Sequence, residues 1–188
     1  MVMNLLLNTP LANSMKITAK DIALIGMMVA VIEVCKVAMM GIPNVELTTF
    51  WIIMFSIFFG RKIFFVIPVF ILIEGAMFGF GIWWVMYLYM WPSLAVIVIM
   101  FRKMDSAVSW SILSGVYGLL FGFFCAIPYV IIGLAEGGIA NGLYAGFTFW
   151  IAGIPWDLVH GVANVVIMLV LYKPIRAVMI RLKREWEG

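Results

Sequence analysis

Residues 63–101 read IFFVIPVFILIEGAMFGFGIWWVMYLYMWPSLAVIVIMF, and one of these thirty-nine residues, Glu74, is charged. Arg61 and Lys62 precede the stretch, and Arg102 and Lys103 follow it. A helix needs about 20 apolar residues to cross a hydrocarbon core of about 30 Å. The stretch therefore reads as two membrane crossings, residues 62–81 and 83–101, with both basic pairs on the same side.

Four more apolar runs extend the pattern: residues 21–41, 47–60, 107–133 and 145–172. The run at 47–60 is short for a crossing, and the last two are long enough to tilt. Each run is continuously apolar, whereas a barrel strand would alternate over about 10 residues. Pro68, Pro92 and Pro128 fall inside runs and are expected to kink helices. The fold expected is an all-α integral membrane protein with six transmembrane helices.

Composition agrees. Hydrophobic residues make up 66% of the 188 and charged residues 11%, with a mean hydropathy of +1.17. Soluble domains run at about 45–50% apolar and about 25% charged. The length gives one domain, residues 1–188, with tails at 1–14 and 174–188. It leaves no room for a nucleotide-binding domain, and no Gly-rich phosphate loop is present, so any energy source sits on another chain. Residues 1–14 lack the basic start of a signal peptide and are expected to be an interfacial or disordered tail.

The net charge of +3 reports topology and not nucleic-acid binding. Eleven of the twelve Lys and Arg residues lie before span one, between spans two and three, between spans four and five, or after span six. By the positive-inside rule both termini are cytoplasmic. The opposite loops carry Glu46 and Glu136. Cys35 and Cys125 both lie in apolar runs and read as small packing residues.

Polar residues inside the spans are the informative ones: Glu33, Lys36, Glu74, Asp157, His160 and Asn164. A charge at mid-helix costs about 2.5–3.5 kcal/mol even on lenient scales, so these groups must face protein or a watery cavity. At 1.5 Å per residue, Glu33, Glu74 and His160 each lie about 18 Å from the inner end of their span. Asp157, His160 and Asn164 share one helix face, as do Glu33 and Lys36. Trp83, Trp84, Tyr87, Tyr129, Tyr144, Trp150 and Trp156 gather near the outer ends. Aromatic walls with a few polar groups fit a flat, polar organic ligand. The competing reading is a packing network, with Glu33–Lys36 and Asp157–His160 paired within their own helices.

One histidine and two separated cysteines make no metal site, and no cofactor is expected. No HExxH-type pattern occurs, and Ser93, Ser111 and Ser114 have no base partner in sequence, so no catalytic residue is assigned and the chain is not read as an enzyme.

Span one opens Ala23-Leu-Ile-Gly-Met-Met-Val-Ala30 and is followed by Ile42-Pro-Asn-Val-Glu-Leu-Thr48. Span six carries Pro155-Trp-Asp-Leu-Val-His160 with Asn164, and ends Leu171-Tyr-Lys-Pro-Ile175. Together with the length and the six spans, these segments resemble the S components of energy-coupling factor (ECF) transporters, the substrate-binding membrane subunits for vitamins and related micronutrients. The resemblance covers essentially the whole chain. It implies a multi-pass protein of the cell membrane that binds a small molecule from outside and docks on a transmembrane coupling subunit with two ATPases. It also implies a span-one contact with that subunit, matched here by Gly26 and Ala30, small residues four apart that let another helix approach closely. The substrate-binding set expected is Glu33, Lys36, Glu74, Trp83, Trp84, Trp156, Asp157, His160 and Asn164. A proton-coupled secondary carrier is the alternative, although most such carriers are longer and built from repeats.

Overall fold

The computed structural model describes residues 17–187; the 1–14 tail lies outside them. Among the described residues the chain is helical, with no strand. The helices are α1 (Ala19–Met39), α2 (Thr48–Phe59), α3 (Ile63–Phe78), α4 (Ile82–Met100), α5 (Ala107–Leu119), α6 (Phe121–Cys125) and α7 (Ile127–Glu187). A 3-10 turn, Gly60–Lys62, joins α2 to α3. Four helical stretches are long and apolar enough to cross a membrane: Ala19–Met39, Thr48–Phe78, Ile82–Met100 and Ala107–Trp186. A third or less of the most apolar window in each is buried inside the protein. Ile22, Val34, Leu72, Met100, Ile139 and Val162 are among the large side chains left outward. A surface this apolar needs a bilayer around it.

Long-range contacts define two ends of the bundle. At one, Lys62 pairs with Asp21 at 2.6 Å, Arg176 with Asp105 at 2.6 Å, and Lys20 donates to the Trp186 carbonyl. At the other, Lys36 meets Glu74 and Tyr87, and Trp51 Nε1 donates to Cys35 Sγ at 3.1 Å. The chain thus reverses between α1 and α2, at Gly60–Lys62, and again between α3 and α4, where Trp84 Nε1 reaches the Ile71 carbonyl at 2.8 Å. Gly60 has φ +56°, a conformation L side chains rarely adopt, and it ends α2 abruptly.

Helix α1 starts on a capping box. Thr18 Oγ1 accepts from the Asp21 amide, and the Asp21 carboxylate accepts from the Thr18 amide. Both satisfy otherwise orphaned N–H groups. Helix α2 explains the short second run. Its 12 residues rise about 18 Å, too little for a bilayer. Residues Thr48 to Phe50 and Ile52 to Ser56 are all buried, so neighbouring helices surround α2 and its length need not match the membrane.

The expected connection between 134 and 144 is instead a tight break at Gly137–Gly138, where Gly138 has φ +77°. Helix α7 resumes at once and runs without a break through Pro155 and Pro174 to Glu187, so the basic residues after Tyr172 ride on helix. Near Pro128 the helical course is interrupted at one residue, Ala126, between α6 and α7, while the backbone stays helical there, as expected of a proline inside a span. The two limbs of this hairpin pack through small residues. A Cβ on Gly118 would meet Gly161 Cα at 2.9 Å, and one on Gly133 would meet Gly142 Cα at 2.9 Å. Close backbone approach of this kind replaces hydrophobic drive inside a membrane.

Candidate functional site

Because α2 starts only at Thr48, the chain ahead of it fills space a longer helix would occupy. Exposure falls from Asn44, which is exposed, to Thr48, which is fully buried. Asn44 adopts φ +56°, a left-handed conformation that asparagine tolerates. This segment divides the end of the bundle into two cavities, and Pro43, Asn44 and Phe121 line both.

The smaller cavity, about 220 Å³, is lined by Lys36, Glu46, Tyr87 and His160, together with Met39 and Met40. The Lys36 ammonium pairs with the Glu74 carboxylate, donates to Tyr87 Oη at 2.9 Å, and lies 4.7 Å from the Tyr87 ring centroid. Glu74 is 1% exposed. The Glu33–Lys36 pair of the competing packing reading does not form; Lys36 pairs instead between α1 and α3. Glu33 interacts with both Glu74 and Lys36, and among the described residues no N–H or O–H group donates to either of its buried oxygens.

His160 Nε2 lies 3.4 Å from Glu46 Oε1, so His160 faces the segment ahead of α2 and does not pair with Asp157. Phe121 packs edge-on against the imidazole at 5.0 Å. Burial pushes the Glu46 carboxyl up, but His160, Lys36 and Thr48 together outweigh it and leave the group below the ordinary carboxyl range.

The larger cavity, about 490 Å³, is lined by Met86, Phe121, Gly122, Cys125, Phe149, Trp156 and Asp157 among others. Asp157 is buried, and its Oδ1 accepts from the Gly122 amide at 3.0 Å. Its Oδ2 has no hydrogen-bond partner among the described residues. A Cβ on Gly122 would lie 2.3 Å from that oxygen, so only glycine lets the two helices bring amide and carboxylate together. Tyr129 stacks on Phe149 at 4.1 Å and steadies that wall.

Of the nine residues expected at the substrate site, Lys36, His160, Asp157 and Trp156 line these cavities. Glu74 and Glu33 stand behind Lys36. Trp83 packs edge-on against Tyr87 at 5.3 Å, so it supports the wall from behind. Trp84 is turned to the Ile71 carbonyl and to Phe80. Asn164 belongs to the helix contact: its Nδ2 donates to the Ser114 carbonyl at 3.2 Å, and Ser114 Oγ returns a bond to the Asn164 carbonyl at 3.3 Å. It lies one turn below His160 on the same face, past the floor of the cavities.

Glu46, Phe121, Gly122 and Phe149 enter the site without having been selected from sequence. Glu46 carried a signal, as an acid in an otherwise apolar loop. Phe121 and Phe149 carried none, being two of fifteen phenylalanines. At the remote face of α1, Gly26 and Ala30 are exposed, and nothing lies within 4 Å of a Cβ built on Gly26. Among the described residues no cluster of His, Cys, Asp or Glu is arranged to hold a metal ion. Comparisons with protein-family models, with curated proteins and with solved structures give no match to this chain.

Proposed function

We propose that this chain is the substrate-binding subunit of an ECF-type transporter. In this reading the chain crosses the cell membrane six times, with both termini in the cytoplasm. It captures a small water-soluble ring compound from outside and hands it through a transmembrane coupling subunit powered by two ATPases. The chain itself supplies affinity and selectivity, with no catalytic step.

The observation that carries the proposal is the separation of two surfaces. Lys36, Glu46, Asp157 and His160 converge with aromatic side chains at the end of the bundle away from Lys20, Lys62 and Arg176. Gly26 and Ala30 sit on an open face of α1. A binding subunit needs both a ligand recess and a docking face, and a close-approach helix face is suited to docking. Resemblance in span one and span six supports the same assignment.

The test is affinity purification of the chain from its native membrane. A coupling subunit and two ATPases should co-purify, and mass spectrometry should find a small ring compound retained. A chain that comes down alone and drives uptake in liposomes under a proton gradient would instead be an autonomous carrier. One observation favours that second reading. Glu33 Oε1 and Oε2 and Glu74 Oε1 are buried without donors, and adjacent buried acids are what proton-coupled carriers use.

A further inference from the structure

We infer that the larger cavity selects a positively charged aromatic or heteroaromatic compound, with Asp157 as its counter-ion. The inference deepens the proposed function and rests on that cavity being the substrate site. Its lining carries one carboxylate, Asp157, and no cationic side chain. The remaining walls are mostly apolar and aromatic, with Phe121, Phe149 and Trp156 facing a volume of about 490 Å³.

The two basic side chains nearest this end of the bundle are already engaged. Lys36 is held by Glu74 and Tyr87, and His160 stands against Glu46. Asp157 forms no ion pair among the described residues. It is 8% exposed, and its one hydrogen bond, from the Gly122 amide, leaves Oδ2 unpartnered. A buried carboxylate without a partner is costly, and a bound cation removes that cost.

The aromatic walls point the same way. A ring stacked on Phe149 or Trp156 buries its faces, and a delocalised cation gains from the negative faces of those rings as well. An anion would meet a carboxylate and no compensating charge. A neutral ring would gain the stacking alone. The smaller cavity differs, since Lys36 and Glu46 give it charges of both signs.

The test uses the purified full-length chain in detergent, with tryptophan fluorescence reading out titrations of benzamidine, benzamide and benzoate. These share one ring and differ in charge. Benzamidine should bind about tenfold or more tightly than benzamide, as a charge-assisted contact predicts, with benzoate weakest. Asp157→Asn should bring benzamidine to the benzamide level, and Asp157→Glu should keep part of the preference. A thermal melt on each variant separates lost affinity from lost fold. Equal binding of benzamidine and benzamide by the unaltered chain overturns the inference, and this comparison needs no variant. A preference that survives Asp157→Asn, or no saturable benzamidine binding at millimolar concentration, also overturns it. Co-purification with the coupling module is scored separately. If it holds while the preference is absent, only the cation inference fails. If the preference holds and the module is absent, the transporter assignment fails.

Discussion

His160 on α7 and Glu46 ahead of α2 meet at 3.4 Å, and this contact ties the inward-folded segment to the longest helix. The segment also forms the partition between the two cavities. Its position therefore depends on a contact whose strength varies with pH.

Glu46 lies outside the spanning helices, and its carboxyl is held below the ordinary value of 4.5. A depressed folded-state pKa contributes stability above the unfolded-state value, and that stability is lost as pH falls through the folded-state value. The melting temperature in detergent should therefore decline below about pH 4.5, the ordinary value for this carboxyl. His160→Gln removes the imidazole from this contact and should cost about 1–3 kcal/mol at neutral pH. It should also move the acid decline upward, because only Lys36 and Thr48 then oppose the effect of burial on Glu46. A pH series of melts on both proteins checks this, and superimposable profiles would show that the contact contributes nothing.

Lys36→Met leaves Glu74 almost fully buried with no cation, since Glu74 is 1% exposed. Removing one partner of a buried pair costs about 3–5 kcal/mol. The double variant Lys36→Met, Glu74→Gln removes the uncompensated Glu74 charge and should recover part of that loss, with Glu33 still lacking the Lys36 cation. A double-mutant cycle on melting free energies measures it. If Lys36→Met melts like the unaltered protein, the pair between α1 and α3 is not structural.

How far the site was readable depended on the scale of the interaction. The all-helical character and the long apolar helices follow from hydropathy and helical rise. The partners do not. Glu33 and Lys36 are three apart and suit each other locally, yet Lys36 reaches Glu74, 38 residues away. Asp157 and His160 are likewise three apart, yet each turns to a different element. Helix periodicity fixes a shared face but not what lies opposite it. Asn164 illustrates the limit, since the face it shares with Asp157 passes from the cavity wall into a contact with α5 within two turns.

Asn164→Ala should accordingly change stability and not affinity. It removes the side-chain bond to the Ser114 carbonyl, a buried acceptor, at a cost of about 1–3 kcal/mol. Ligand titration beside a thermal melt distinguishes the outcomes. A large fall in affinity at unchanged stability would put Asn164 in the pocket after all.

The glycines of α1 and α5 should respond in opposite ways. Gly118 has no space: a Cβ there would lie 2.9 Å from Gly161 Cα and 3.0 Å from its amide nitrogen. Backbone atoms cannot yield as a side chain can, so Gly118→Ala should separate the helices and cost about 1–3 kcal/mol. Gly26 has open space, with nothing within 4 Å of a Cβ. Gly26→Ala should be neutral or gain up to about 1 kcal/mol from helix propensity. Gly26→Leu and Ala30→Leu should leave melting and ligand affinity unchanged while reducing recovery of the coupling subunit in a pull-down. The contrast isolates the docking face, because the same chemical change is applied to a packed glycine and to an open one. If Gly26→Leu lowers stability as Gly118→Ala does, the face of α1 is packed within the chain. If pull-down recovery is unaffected by both leucine variants, the coupling subunit docks elsewhere.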